Sequence, residues 1–186
     1  VGGIRSTIDF TPFREAAALL YSGPWVAERL AAIGDFLSRD PADVHPIVGA
    51  IIRAGAAYSA VDAHRAAGRL EELKRDAQRQ WASMDVLLLP TAGTIYTKRA
   101  VEADPIRLNT NLGYYTNFVN LMDLAAVAVP AGVRNDGLPF GVSLIGPAFS
   151  DAALVTLGER LLGERTDAPL RAPGCVSVAV VGAHLS

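Results

Sequence analysis

Asp85-Val86-Leu87-Leu88-Leu89-Pro90-Thr91 is a short, uninterrupted apolar run closed by a breaker, and its reading decides the fold class. A run of this length that does not alternate predicts a central strand covered on both faces, as in a parallel sheet. Upstream, Asp40-Pro41-Ala42-Asp43 is a helix-start signal, and residues 47 to 84 read as largely helical. Leu70, Leu73, Ala77 and Trp81 form the buried stripe of the latter part, and Glu71 with Arg75 makes an i,i+4 pair on the wet side. Further back, residues 13 to 33 read as two helical pieces interrupted near Gly23-Pro24. They follow a β-branched opening, residues 1 to 10, that predicts a strand leading into a helix at Thr11-Pro12.

Downstream, residues 91 to about 112 read as a long loop at the C-terminal end of that strand, a place where function concentrates. Tyr114 to Leu124 reads as a helix, Ala125 to Val129 as a buried strand ended by Pro130-Ala131-Gly132, and Arg134-Asn135-Asp136-Gly137 as a turn. Phe140 to Ile145 makes another strand, with Gly141 small enough for close backbone approach. Ser150 then caps a helix to Leu162 with Leu154, Leu157, Leu161 and Leu162 along its core stripe. Strands alternating with helices make the chain α/β. Asp167, Pro169 and Pro173 read as a linker, and Val176 to Val181 as a strand that has barely begun at Ser186.

The 186 residues are enough for about one domain. With 51% hydrophobic and 19% charged residues the chain is neither disordered nor fibrous in composition. A net charge of −2 offers no footprint for nucleic acid or an anionic membrane, and no apolar run approaches the ~20 residues of a membrane span. The lone Cys175 forms no internal disulfide, no Cys/His spacing suggests a metal, and no phosphate-cradling or dinucleotide motif suggests a cofactor. A reducing cytoplasm is the expected compartment. The start at Val1 and strand-like sequence at both ends suggest an excised piece.

A search for nucleophilic chemistry excludes the obvious trio. Ser59 and His64 lie about 140° apart on a helix, so with Asp62 they form a polar face rather than a triad. His45 reads as a loop or cap residue, and His184 lies in the tail. The segment Asn109 to Asn120 carries four amides, two hydroxyls and two phenols beside apolar strands. It is either a binding wall or a structural network, the latter being the commoner fate of buried polar groups.

Three ordered blocks carry a resemblance: residues 84–91, residues 115–121 leading into Ala128-Val129-Pro130-Ala131-Gly132, and residues 137–147. Together they resemble the C-terminal half of an amidase-signature hydrolase. The segments 103–106 and 112–121, with the tail, look most like the allophanate hydrolases of urea degradation. The resemblance implies an α/β fold with a mixed central sheet covered by helices. It also implies a division into residues 1–164, half of the amidase-signature domain, and residues 165–186, a linker and the first strand of a truncated C-terminal domain.

The resemblance further implies amide C–N hydrolysis by a Ser–cis-Ser–Lys triad, converting allophanate to ammonia and carbon dioxide. Lys74 and Lys98 stand in no matching context and no Gly/Ser-rich signature is present, so no catalytic residue is assigned and the chain alone is expected to be inactive. It is expected to aggregate without the N-terminal half of the core. For a substrate bearing a carboxylate the resemblance implies Tyr96, with Arg99 or Arg107 as the cation, and Asn111 and Tyr115 as further contacts. A full-length enzyme of this kind is expected to form a homodimer. Another amidase-signature hydrolase, or an amidotransferase A subunit, is the alternative within the family. A non-catalytic domain binding a small ligand or partner is the alternative outside it.

Overall fold

The computed structural model describes residues 3–39 and 43–163. The expected linker and strand of residues 165–186, with Cys175 and His184, lie outside the described residues, as does most of the Asp40-Pro41-Ala42-Asp43 signal.

Helix α1 (Thr11–Ser22) begins where Asp9 Oδ1 accepts the Thr11 N–H at 2.9 Å and Pro12 occupies a first-turn position. The break at Gly23-Pro24 is real, and α2 (Trp25–Arg39) follows it. Residues 3–10, within the segment 1–10 expected as a strand, pair with no strand among the described residues. Ile8 and Phe10 pack instead on the helical core, and the Asp9 N–H donates to Gln80 Oε1 at 3.0 Å, so helix side chains satisfy this segment where a sheet edge was expected.

The long helical region divides into α3 (Pro46–Arg53), a 3-10 turn (Ala54–Ala57) and α4 (Ala60–Trp81). The division lies at Ser59, whose hydroxyl accepts the Asp62 N–H while the Asp62 carboxylate accepts the Ser59 N–H. This capping box starts α4 and satisfies otherwise unpaired end groups. Leu70, Leu73 and Ala77 are buried as the stripe predicts, and Trp81 packs beside them. Glu71 pairs with Lys74 at 3.0 Å rather than with Arg75.

After β1 (Leu87–Pro90) the expected loop is shorter than predicted, because α5 (Lys98–Ala103) and α6 (Pro105–Leu112) fill most of it. Thr97 caps α5 by accepting the Ala100 N–H at 3.2 Å, and Asp104-Pro105 opens α6. Helices of six and eight residues are too short to display a clear apolar period. Tyr114 to Leu124 contributes only α7 (Phe118–Leu121), preceded by turns from Gly113.

Strands β2 (Leu124–Val133) and β3 (Pro139–Pro147) complete a three-stranded sheet in the order β1-β3-β2. Both pairings are antiparallel, Leu87 opposite Ile145 and Leu124 opposite Pro147. The parallel pairing expected of the Leu87 run is therefore corrected: it pairs antiparallel with β3. Among the described residues β1 is an edge strand, with Leu87 buried in the helical core and Leu88 54% exposed. Strand β2 also runs beyond its expected end: an irregularity between Pro130 and Gly132 absorbs the proline, which an edge strand tolerates. The turn at 134–137 forms as expected, with Gly137 at φ 80°.

Helix α8 (Asp151–Leu162) covers β2 and β3 through Leu154 and the close approach of Gly158 to Val127 and Val129. Leu161 and Leu162 are each 39% exposed and do not extend the stripe. Ser150 occupies the cap position, but its hydroxyl donates to the Pro147 carbonyl at 2.6 Å instead of accepting a helix N–H. The main core lies on the other side, where Phe13, Phe118, Leu73 and Ile145 are the largest fully buried side chains. Phe13 sits 5.2 Å from Phe118, 5.6 Å from Phe10 and 6.1 Å from Trp81, ring centre to ring centre.

Candidate functional site

The C-terminal end of β1 opens into a cleft of about 400 Å³. Thr91, Ile95, Val129, Arg134, Phe140 and Gly141 contribute to its walls. The Thr91 N–H donates to the Gly141 carbonyl at 3.0 Å, which ties the loop to β3 as β1 ends. The Thr91 and Ser143 hydroxyls share a hydrogen bond of 3.0 Å, and Ser143 is 3% exposed. A Cβ on Gly141 would meet Thr91 Oγ1 and the Val129 carbonyl at 3.4 Å, so the strand approaches the loop closely here. Arg134 points its guanidinium to Asp136 at 2.9 Å.

From this cleft the loop of residues 91–97 carries Tyr96 to α6, where Asn111 Nδ2 donates to the Tyr96 hydroxyl at 3.2 Å. Arg107 and Asn111 are four residues apart on α6 and share its face. Asp104 Oδ2 accepts from Arg107 Nε at 2.6 Å, and among the described residues the other nitrogens of the planar donor fork have no partner. Tyr115 stacks edge-on against Tyr114 at 4.9 Å and lies against Gly93 of the same loop. Arg99 is exposed in the first turn of α5 and takes part in none of these contacts.

Of the five residues singled out in the sequence, the fold joins Tyr96 directly to Asn111, sets Arg107 on the same helix face and flanks their loop with Tyr115. The Asn109–Asn120 segment divides between the two readings. Asn109 donates to the Pro105 carbonyl at 2.6 Å and Thr110 to that of Ile106 at 2.8 Å, so both serve the helix itself. Among the described residues, Asn111 is the α6 side chain whose hydrogen bond reaches across to the loop. Thr91, Ser143 and Arg134 line or support the cleft and were not anticipated. Ser143 could have been found as the one hydroxyl inside the run Phe140-Gly141-Val142-Ser143-Leu144-Ile145.

The group is equipped to bind and orient rather than to attack. The buried Ser143 hydroxyl has another hydroxyl, not a base, as its partner. Lys74 is engaged by Glu71. Ser59 and Asp62 are used in the helix cap, where the Ser59 hydroxyl and N–H together hold the Asp62 carboxyl below its ordinary range. His45 stands at the N-terminus of α3 without a side-chain capping bond. Among the described residues no three His, Cys, Asp or Glu side chains gather as metal ligands, and no helix is long and apolar enough to cross a membrane.

Residues 27–155 match the family model described as Amidase. The urea amidolyase of Lachancea kluyveri is 40% identical over 204 residues, and that of Saccharomyces cerevisiae 39% over 203. Each alignment takes in 96% of this chain and 11% of the relative. The structure of Kluyveromyces lactis allophanate hydrolase superposes with a TM-score of 0.82 at 39% identity, covering 85% of this chain and 26% of that one. The chain therefore spans about a tenth of the curated relatives it matches and about a quarter of the solved enzyme.

Proposed function

The chain belongs to the amidase family, and on that premise we propose that it is the part of an allophanate hydrolase that holds the carboxylate end of the substrate. The hydrogen-bonded pair of Tyr96 and Asn111, with Arg107 on the same helix face, is the observation that carries the reading. A phenol held by Asn111 and a guanidinium one turn earlier on the same helix are a neutral and a charged donor of the kind that binds a carboxylate. Asp104 limits the freedom of Arg107, so less side-chain entropy is lost when an anion binds.

The bond-breaking groups come, in this reading, from outside the chain. A serine oxygen attacks the terminal carbonyl carbon, its proton passes through a bridging serine to a neutral lysine, and the C–N bond breaks as ammonia leaves with a returned proton. Water then releases the acyl group. Holding the far carboxylate fixes the distance of that carbonyl from the nucleophile, and such positioning is a large share of what an enzyme supplies.

In the full-length enzyme, Arg107→Ala should raise the KM for allophanate by about tenfold to a hundredfold, the worth of a hydrogen bond to a charged group. Tyr96→Phe should raise it by about tenfold on the same grounds. Steady-state ammonia release measures both. An unchanged KM in either variant, or a larger effect of Arg99→Ala than of Arg107→Ala, would contradict the assignment.

A further inference from the structure

The contact between Asn111 and Tyr96 has a direction, since the amide nitrogen donates and the phenol oxygen accepts. A phenol carries one proton, and an N–H arriving at its oxygen leaves that proton free to donate elsewhere. An oxygen presented by residue 111 would do the opposite, drawing the phenol proton toward α6. We infer that Asn111 is a positioning residue, which keeps the Tyr96 hydroxyl as a donor aimed at an anionic ligand and thereby sets the preference for a carboxylate-bearing substrate.

This rests on the reading of Tyr96 as a carboxylate contact. Two further features favour it. Asn109 and Thr110, the preceding polar residues of α6, are both turned back onto their own helix, so the amide of Asn111 is the one that α6 commits to the loop. Arg107, one turn earlier on that face, is paired with Asp104 through its Nε and offers its remaining N–H donors to an anion.

The test is a double-mutant cycle on KM for allophanate in the full-length enzyme. Asn111→Leu should raise KM by about threefold to tenfold, the worth of one neutral hydrogen bond, with kcat within about twofold. Added to Tyr96→Phe, the same change should shift KM by less than about twofold, because the hydroxyl through which it acts is gone. Asn111→Asp, whose carboxylate takes the phenol proton and repels the ligand, should raise KM more than Asn111→Leu does. The KM of a neutral amide substrate should be unmoved by all three.

Equal effects of Asn111→Leu with and without the Tyr96 hydroxyl would overturn the inference, as would a parallel loss on the neutral amide. Failure of the underlying reading looks different: Tyr96→Phe alone would then leave KM for allophanate unchanged.

Discussion

Replacing Phe13 by alanine is expected to destabilise the helical layer by about 3–5 kcal/mol, the usual cost of emptying a fully buried aromatic site. Phe13 is completely shielded and touches rings from three other parts of the chain: Phe10 before α1, Phe118 in α7 and Trp81 at the end of α4. Phe10 and Phe118 also hold each other edge-on at 5.7 Å, so neither can collapse into the space without leaving that contact. Hydrogen exchange of α1 and α4 amides should show protection lowered by about a hundredfold or more in the full-length protein, if these helices open as one unit. A loss below about tenfold would mean that the cluster is not the centre of the core. Phe13→Leu, which keeps most of the apolar volume, should lose much less.

The second large effect is expected at Gly55. A Cβ at this position would lie 2.7 Å from the Val26 carbonyl oxygen and 2.9 Å from the Ala27 Cα, both backbone atoms of α2 that no rotamer change can move aside. Gly55→Ala should therefore separate the 3-10 turn from α2 and cost about 1–3 kcal/mol, the range for overpacking. Gly68 makes the contrast. It lies inside α4 with nothing within 4 Å of its missing Cβ, so Gly68→Ala should stabilise by about 0.5–1 kcal/mol through helix propensity. The same chemical change is thus expected to have opposite signs at two helical positions 13 residues apart in the sequence. Thermal midpoints of the two variants check it, and a stabilising Gly55→Ala would contradict the packing described.

The features that were legible in the sequence are those whose cause is local. Gly23-Pro24 cannot continue a helix, Leu70, Leu73 and Ala77 repeat at helical spacing, and Arg134 to Gly137 has turn chemistry; each forms as expected. The errors arise where the deciding partner is distant in sequence. Leu87 to Leu89 looks like a parallel strand when read alone, yet Ile145 and its neighbours pair with it in antiparallel register. The opening segment has strand-like residues, but Gln80 and the aromatic cluster claim its polar and apolar groups.

The candidate site shows the same division. The family resemblance names Tyr96, Arg99, Arg107, Asn111 and Tyr115 and does not choose between the two arginines. The short helices α5 and α6 separate those arginines, and only the second shares a face with the amide that reaches Tyr96. Ser143 stands inside an apolar run, and its hydroxyl partner Thr91 is 52 residues away.

The most direct test of the central claim is the selectivity of the full-length enzyme for allophanate over an amide of similar size whose far end is neutral. Ammonia release from both substrates gives the ratio of kcat/KM. The two donors proposed for one carboxylate predict a preference of about a hundredfold or more for allophanate, reduced to about tenfold or less when Tyr96→Phe and Arg107→Ala are combined. A wild-type enzyme that hydrolyses the neutral amide equally well, or a double variant that keeps the full preference, would contradict the account.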